Sequence, residues 1–230
     1  MTGPAATDRR QGPDLGPSTA VRAADEIRRR IFAGEYAPGD RLRERDLSEA
    51  LSISRIPVRE ALARLEADGF VVASPRRGAT VRALTLKDVD ELFDLRLSLE
   101  VMAARRAAEA VAAGGGGTRL RELMDAAEDA TRRGDADEIP AANTALHAEI
   151  VAMTGNRMLE NALKPSLGLM QWLFTMTSDR DMRVQCAEHK DICQAIYAGN
   201  ADLAAALAFS HIELGRAPSL ASLADVLPAT

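Results

Sequence analysis

From Thr19 to about Gly34, Ala20, Ala24, Ile27 and Ile31 return at spacings of four, three and four. That stripe predicts an amphipathic helix, with Arg28, Arg29 and Arg30 beside it and Gly34 to stop it. Glu35 to Asp40, with Pro38 and Gly39, reads as a turn or a short extended piece. A short helix follows over Glu44 to Leu51, with Leu47, Ala50 and Leu51 inward, and Ser52 to Ser54 break it. A second helix then reaches Asp68, its Val58, Ala61, Leu62 and Leu65 forming an i, i+3, i+4, i+7 stripe. Pro57 is tolerated there because first-turn amides have no helical partner, and Gly69 ends the helix. The pattern then turns β-prone: Phe70 to Ala73 and Ala79 to Ala83 are short runs around Ser74, Pro75, Arg76, Arg77 and Gly78, a hairpin with a basic tip. Three helices and a basic hairpin in this order predict a winged helix-turn-helix over residues 19–83.

From Leu86 onward the apolar period stays helical. Breaks near Gly114 to Gly117, Gly134, Gly155, Ser178 and Gly199 divide the rest into six segments, an all-α bundle. The four-glycine run is a loop within the bundle rather than the domain linker, because Val89, Leu92, Phe93, Leu97 and Val101 before it need partners. The interdomain joint falls near Ala83 to Lys87. Residues 1–18, rich in Pro, Gly and polar side chains without periodicity, are expected to be a disordered arm. Residues 86–215 form the helical domain and 216–230 a C-terminal tail. The fold class is mainly α.

Composition agrees with this reading. The 230 residues are 47% hydrophobic and only 3% aromatic, a balance that favours helix over strand. Cys186 and Cys193 are too few for a disulfide scaffold and sit at no metal or redox spacing, so they read as thiols within a helix core. No apolar run approaches the length of a membrane span and none follows Arg9 and Arg10, which predicts a cytoplasmic protein. The net charge of −5 averages two unlike parts: residues 1–85 carry 15 Arg and 12 acids, whereas residues 86–230 carry 14 Lys plus Arg and 22 acids. A mildly basic front and an acidic rear suggest a division of labour.

The front chemistry suits double-stranded DNA. In a helix-turn-helix the second helix enters the major groove with its first turns against base edges, and here those turns read SRIPVREAL. Arg55 and Arg59, four apart, share one face opposite the apolar stripe, and an arginine fork can bond both acceptors of a guanine. Ser54 can cap the helix or hold a phosphate. Arg45 lies toward the same groove, and Arg76 and Arg77 on the hairpin tip reach the minor groove or phosphates. The plainer alternative is that these arginines are solvated or paired with Glu44, Asp46 and Glu60.

The three histidines of the chain, His147, His189 and His211, fall on three different bundle helices. Asn143 precedes His147 by one helical turn, so its oxygen and the imidazole point the same way. Three imidazoles and one oxygen make a reasonable site for a divalent transition metal, zinc foremost, with nickel, manganese or iron compatible. A plain alternative is that they are satisfied core histidines.

The stretch GEYAPGDRLRERDLSEALSISRIPVREALARLEADGFVVASPRRGATV resembles the winged helix-turn-helix of the GntR family of bacterial transcription regulators. DVDELFDLRLSLEVMAARRAA, NTALHAEIVAMTGN, EHKDICQAI and FSHIE resemble the successive motifs of the FCD effector-binding domain of its FadR subfamily, and six helices resemble the VanR-type branch. The resemblance implies a homodimer on a short palindromic operator, with Arg45, Arg55, Arg59 and the wing tip around Gly78 at the DNA, and most commonly a repressor released by a metabolite. It maps the metal ligands to Asn143, His147, His189 and His211, and turns Arg96 toward the effector, a small organic acid that chelates the metal. Arg96 could instead pair with Glu100, its i+4 neighbour. Two departures stand out: Asn143 brings a neutral oxygen where many relatives have a carboxylate, and Leu146 replaces an aromatic, which is expected to alter pocket shape.

An enzyme is disfavoured. The chain has no H-E-x-x-H, no P-C-x-x-C to complete the His147/Glu149 imitation of a zinc deaminase, no G-x-S-x-G and no P-loop. The other readings are a metal-dependent hydrolase and a DNA-binding dimer whose bundle serves only assembly.

Overall fold

The computed structural model describes residues 18–74, 78–176 and 181–229. Arg76 and Arg77, the arm through residue 17 and the break expected near Ser178 lie outside the described residues. Ser18, assigned to the arm, is instead the N-cap of α1 (Thr19–Phe32), its hydroxyl accepting from the Val21 N–H. Capping of this kind contributes about 1 kcal/mol. Ala20, Ala23, Ala24, Ile27 and Ile31 are the buried face of α1. The helix-turn-helix follows as α2 (Glu44–Leu51) and α3 (Arg55–Ala67), joined through Ser52 in the left-handed region at φ 54°.

The wing has three strands. β2 (Val71–Ser74) and β3 (Gly78–Val81) pair antiparallel with Val71 opposite Val81 and Ser74 opposite Gly78. The sequence reading set the second run at 79–83; the strand begins one residue earlier and stops at Val81. β1 (Arg41–Leu42), just past the Glu35 to Asp40 turn or short extended piece and assigned to no element in the sequence, pairs with β3 on its other edge, giving the order β1-β3-β2. Gly78 is required by this pairing: its φ is +90°, and a Cβ there would collide with the Leu42 carbonyl oxygen.

The bundle comprises α4 (Leu86–Ala112), α5 (Thr118–Arg133), α6 (Glu138–Ala152), α7 (Arg157–Met176), α8 (Met182–Tyr197) and α9 (Ala201–Leu223). A reciprocal capping box between Thr85 and Asp88 starts α4, so the interdomain joint is a helix cap. Alanines 103, 104, 107 and 108 of α4 and 204 and 208 of α9 are buried in one core with Leu163 and Ile196; small side chains let two long helices approach closely. Cys186 and Cys193 are buried free thiols, and burial pushes the Cys193 thiol up to about 12.

The expected tail from residue 216 is a correction. α9 continues to Leu223, Leu223 and Leu227 are buried, and the Leu86 N–H donates to the Pro228 carbonyl at 2.8 Å. Leu220, Leu223 and Leu227 continue the helical apolar spacing beyond the point where the recognised motifs end.

The two parts share a core. Phe70, which follows α3, is 1% exposed and tilts against Trp172 of α7 at 6.3 Å between ring centroids. Gly168 lies beneath its ring, where a Cβ would stand 2.9 Å from the Phe70 Cζ. Asp68 accepts from Arg28 at 3.2 Å and pairs with Lys164 of α7 at 3.2 Å. Phe70→Ala should destabilise the chain by about 3–5 kcal/mol, read as a lowered midpoint in urea denaturation; an unchanged midpoint would show that the shared core carries little of the stability.

Candidate metal centre, cavity and nucleic-acid interface

α3 presents its buried face, Val58, Ala61, Leu62 and Leu65, to the domain core and the opposite face to solvent. Ser54 occupies the N-cap, yet its side chain makes no capping bond. Arg55 and Arg59 are exposed on the solvent face, and Arg55 forms no ion pair within 4 Å among the described residues. Arg59 is engaged: its Nε and Nη2 donate to the two carboxylate oxygens of Glu44 at 2.9 and 2.8 Å. This hydrogen bonding holds the Glu44 carboxyl below the usual carboxylate range. The paired alternative thus holds for Arg59, on a bond that orients its fork at the surface. Arg45 is exposed, its Nε 3.6 Å from both Asp46 and Glu49. Gly78 sits at the start of β3, where its backbone role is already set by Leu42.

The bundle brings the three histidines together. His147 of α6, His189 of α8 and His211 of α9 are 6%, 3% and 4% exposed, and a ligand nitrogen from each lies within 4.8 Å of the other two. His147 Nε2 is 3.2 Å from His189 Nε2. Two carboxylates stand behind the rings: Glu100 Oε2 is 2.7 Å from His147 Nδ1, and Glu188 Oε2 is 2.8 Å from His211 Nδ1. A carboxylate at Nδ1 favours the proton there, leaving the Nε2 lone pair to bind, the usual support for a metal-bound imidazole. Asn143 is buried, and its amide nitrogen donates to Gln185 Oε1 at 3.2 Å, which turns its oxygen to the other side of the amide. Three imidazoles, two of them backed by carboxylates, with an amide oxygen one turn from His147, fit a divalent transition metal.

Glu100 is the residue the sequence reading undervalued. Burial opposes its charge, but the Arg96 guanidinium and then His147 overcome this and hold the carboxyl well below the usual carboxylate range. Arg96 Nε donates to Glu100 Oε1 at 2.8 Å, with both side chains buried. The i, i+4 spacing showed the Arg96 pair; nothing local could show His147, which lies 47 positions further on.

Arg96 also lines a cavity of about 170 Å³ together with Phe93, Asn143, Phe174, Gln185 and His211. Arg96 therefore pairs with Glu100, its i+4 neighbour, and also forms part of the wall of a cavity that reaches His211 of the histidine centre. Leu146 is a correction. It is 1% exposed within the bundle core and is not among the cavity's lining residues, so the missing aromatic bears on the core rather than on cavity shape.

A winged helix with an exposed arginine face, continuous with a helical domain built around a buried polar centre, defines a DNA-binding transcriptional regulator. The profile of bacterial regulatory proteins of the gntR family matches residues 19–81 and that of the FCD domain matches residues 91–214. The chain belongs to the GntR family, with an FCD domain behind its winged helix. It is 30% identical over 190 residues to the uncharacterized HTH-type transcriptional regulator YdhC of Bacillus subtilis, covering 81% of this chain and 84% of that one. It is 34% identical over 156 residues to the gluconate operon transcriptional repressor of Bacillus licheniformis, covering 64% and 61%. Among solved structures, a GntR regulator from Rhodococcus sp. RHA1 superposes with a TM-score of 0.72 at 26% identity, covering 88% of this chain and 97% of that one. No helix among the described residues is long and apolar enough to cross a membrane.

Glu100→Gln keeps the side chain's shape and removes its charge, leaving Arg96 buried without a counter-ion. Uncompensated buried charge of this kind costs on the order of 3–5 kcal/mol, so urea denaturation of the metal-free protein should show a loss of that size. A change below about 1 kcal/mol would mean that Arg96 finds other compensation.

Proposed function

We propose that the chain is a metabolite-responsive repressor, acting in the cytoplasm as a homodimer that places two copies of α3 on the halves of a short palindromic operator. Arg55 and Arg59 read base edges from the major groove, Arg45 and Ser54 hold phosphates, and the wing tip, Arg76, Arg77 and Gly78, reaches the flanking backbone or minor groove. The six bundle helices support a VanR-type branch of the family.

The observation that carries the sensing half is that one cavity is bounded by both Arg96 and His211. His147, His189, His211 and Asn143 would hold the metal, zinc foremost, with nickel, manganese or iron compatible. When bound, it supplies a positive centre for a carboxylate oxygen. Glu100 and Glu188 keep Nε2 of His147 and His211 available, and Arg96 offers the cavity a second cationic wall suited to a carboxylate fork. A small organic acid is the effector. It acts by binding one arrangement of the two DNA-binding heads better than the other, and shifts DNA affinity by no more than that difference.

The test is selection of genomic DNA fragments by the purified full-length protein at moderate salt, repeated with pooled small organic acids. Enrichment of one short palindrome, reduced by the acids, is the expected result. Arg55→Ala should weaken operator binding by about 1–3 kcal/mol at matched salt and relax base preference; an unchanged affinity would remove α3 from the interface. His189→Ala should lower bound metal, measured by plasma emission on the purified protein, and blunt the acid response while the helical circular dichroism persists. Full metal retention would overturn the ligand set, and a response to no acid would leave the bundle an assembly domain.

A further inference from the structure

Within the front domain the large apolar side chains exposed among the described residues are Ile56 and Val72, and Ile56 is the more exposed at 68%. Single exposed apolar residues are ordinary. What distinguishes Ile56 is its place: it is the second residue of α3, after Arg55 and three before Arg59, on the side away from Val58, Ala61, Leu62 and Leu65. The helix start does not need it for packing, because the apolar pair that clasps such a start is supplied by Ile53, just before the cap, and Val58, which belong to one core.

The side chain is stiff as well as exposed. A β-branched residue in a helix holds essentially one χ1 rotamer, and the following Pro57 restricts the backbone of Ile56 further. An apolar group fixed in this way loses little freedom on contact.

α3, RIPVREALARLEA, contains neither Asn nor Gln, the side chains that read adenine bidentately. Its arginines suit guanine. An A·T pair offers one further distinguishing feature in the major groove, the 5-methyl group of thymine, which is read by apolar contact. We propose that Ile56 is a specificity-determining residue that contacts the 5-methyl group of one thymine in each half-site. This rests on the reading of α3 as the recognition helix, and extends it from guanine to an A·T position.

Replacing thymine by deoxyuridine removes that methyl and leaves base pairing intact. The full-length protein selects a duplex from a random pool, and synthetic copies with each thymine replaced in turn, symmetrically in both halves, are titrated at fixed salt. Loss of one buried methyl corresponds to roughly fourfold per half-site, so about fifteenfold for the symmetric pair. The wild type should lose that much affinity at one thymine position, Ile56→Ala should already bind more weakly and not respond there, and Ile56→Val, which keeps branched methyls, should retain most of the response. Ile56 is exposed and alanine is a better helix former, so the fold of Ile56→Ala should be intact by thermal melting. The proposal is overturned if no thymine replacement weakens the wild type, or if Ile56→Ala responds as strongly as the wild type. Arg55→Ala separates the two failures: if it weakens binding while the deoxyuridine series is silent, only the role of Ile56 falls. If it leaves affinity unchanged, or if no duplex is enriched at all, the reading of α3 falls and the role of Ile56 with it.

Discussion

A carboxylate buried between a guanidinium and an imidazole organises the interior of the helical domain. Glu100 stands on α4 with Arg96 one turn before it, and both of its oxygens are used, one by Arg96 and one by His147 of α6. Removing two charges from water costs several kcal/mol per ion, and the cost is offset only because the pair is close and its second oxygen is also engaged. The same contact favours the Nδ1 proton of His147 and so turns its lone pair toward His189 and His211. Cavity wall and histidine centre are thus joined by one acid, and neither can be altered there without the other.

The exposed face of α3 proposed for DNA is held by a different balance. Arg59 reaches its surface position on a bidentate bond to Glu44, exposed enough that the pair itself adds little stability. Its consequence is geometric: a fork already extended by a carboxylate has less side-chain entropy to lose in any further contact. The charge division points the same way. The rear domain, with 22 acids against 14 Lys plus Arg, repels a polyanion while the arginine-rich front attracts it, which orients the chain before any specific contact forms.

The helices were legible because their signals are local. Ala20 to Ile31, Val58 to Leu65 and the glycine breaks state period and boundary within a few residues, and three histidines confined to three helices state a cluster once a bundle is granted. β1 was hidden because two residues carry no period and acquire a strand's conformation only from β3. The partnership of Glu100 with His147 was hidden because it joins α4 to α6, and Gln185 and Glu188 for the same reason belong to a helix distant in sequence from the residues they orient. Leu146 was placed wrongly because position beside His147 in sequence says nothing of which face of α6 it occupies; one residue along a helix is about 100° around it. The end of α9 was in plain sight, since Leu220, Leu223 and Leu227 keep the apolar spacing to a point beyond the family motifs.

The fit of Phe70 over Gly168 bears on how such chains can diversify by recombination. Heads and bundles joined by a tether can be exchanged freely, but here the aromatic of one half fills a hollow that exists because the other half lacks a Cβ. A bundle with alanine at this position would press its Cβ to 2.9 Å from the Phe70 Cζ and force the ring to shift, and a head with a small residue in place of Phe70 would leave Trp172 facing a void. Exchange therefore has to preserve this contact together with the rest of the core that the two halves share, the Asp68 to Lys164 pair included.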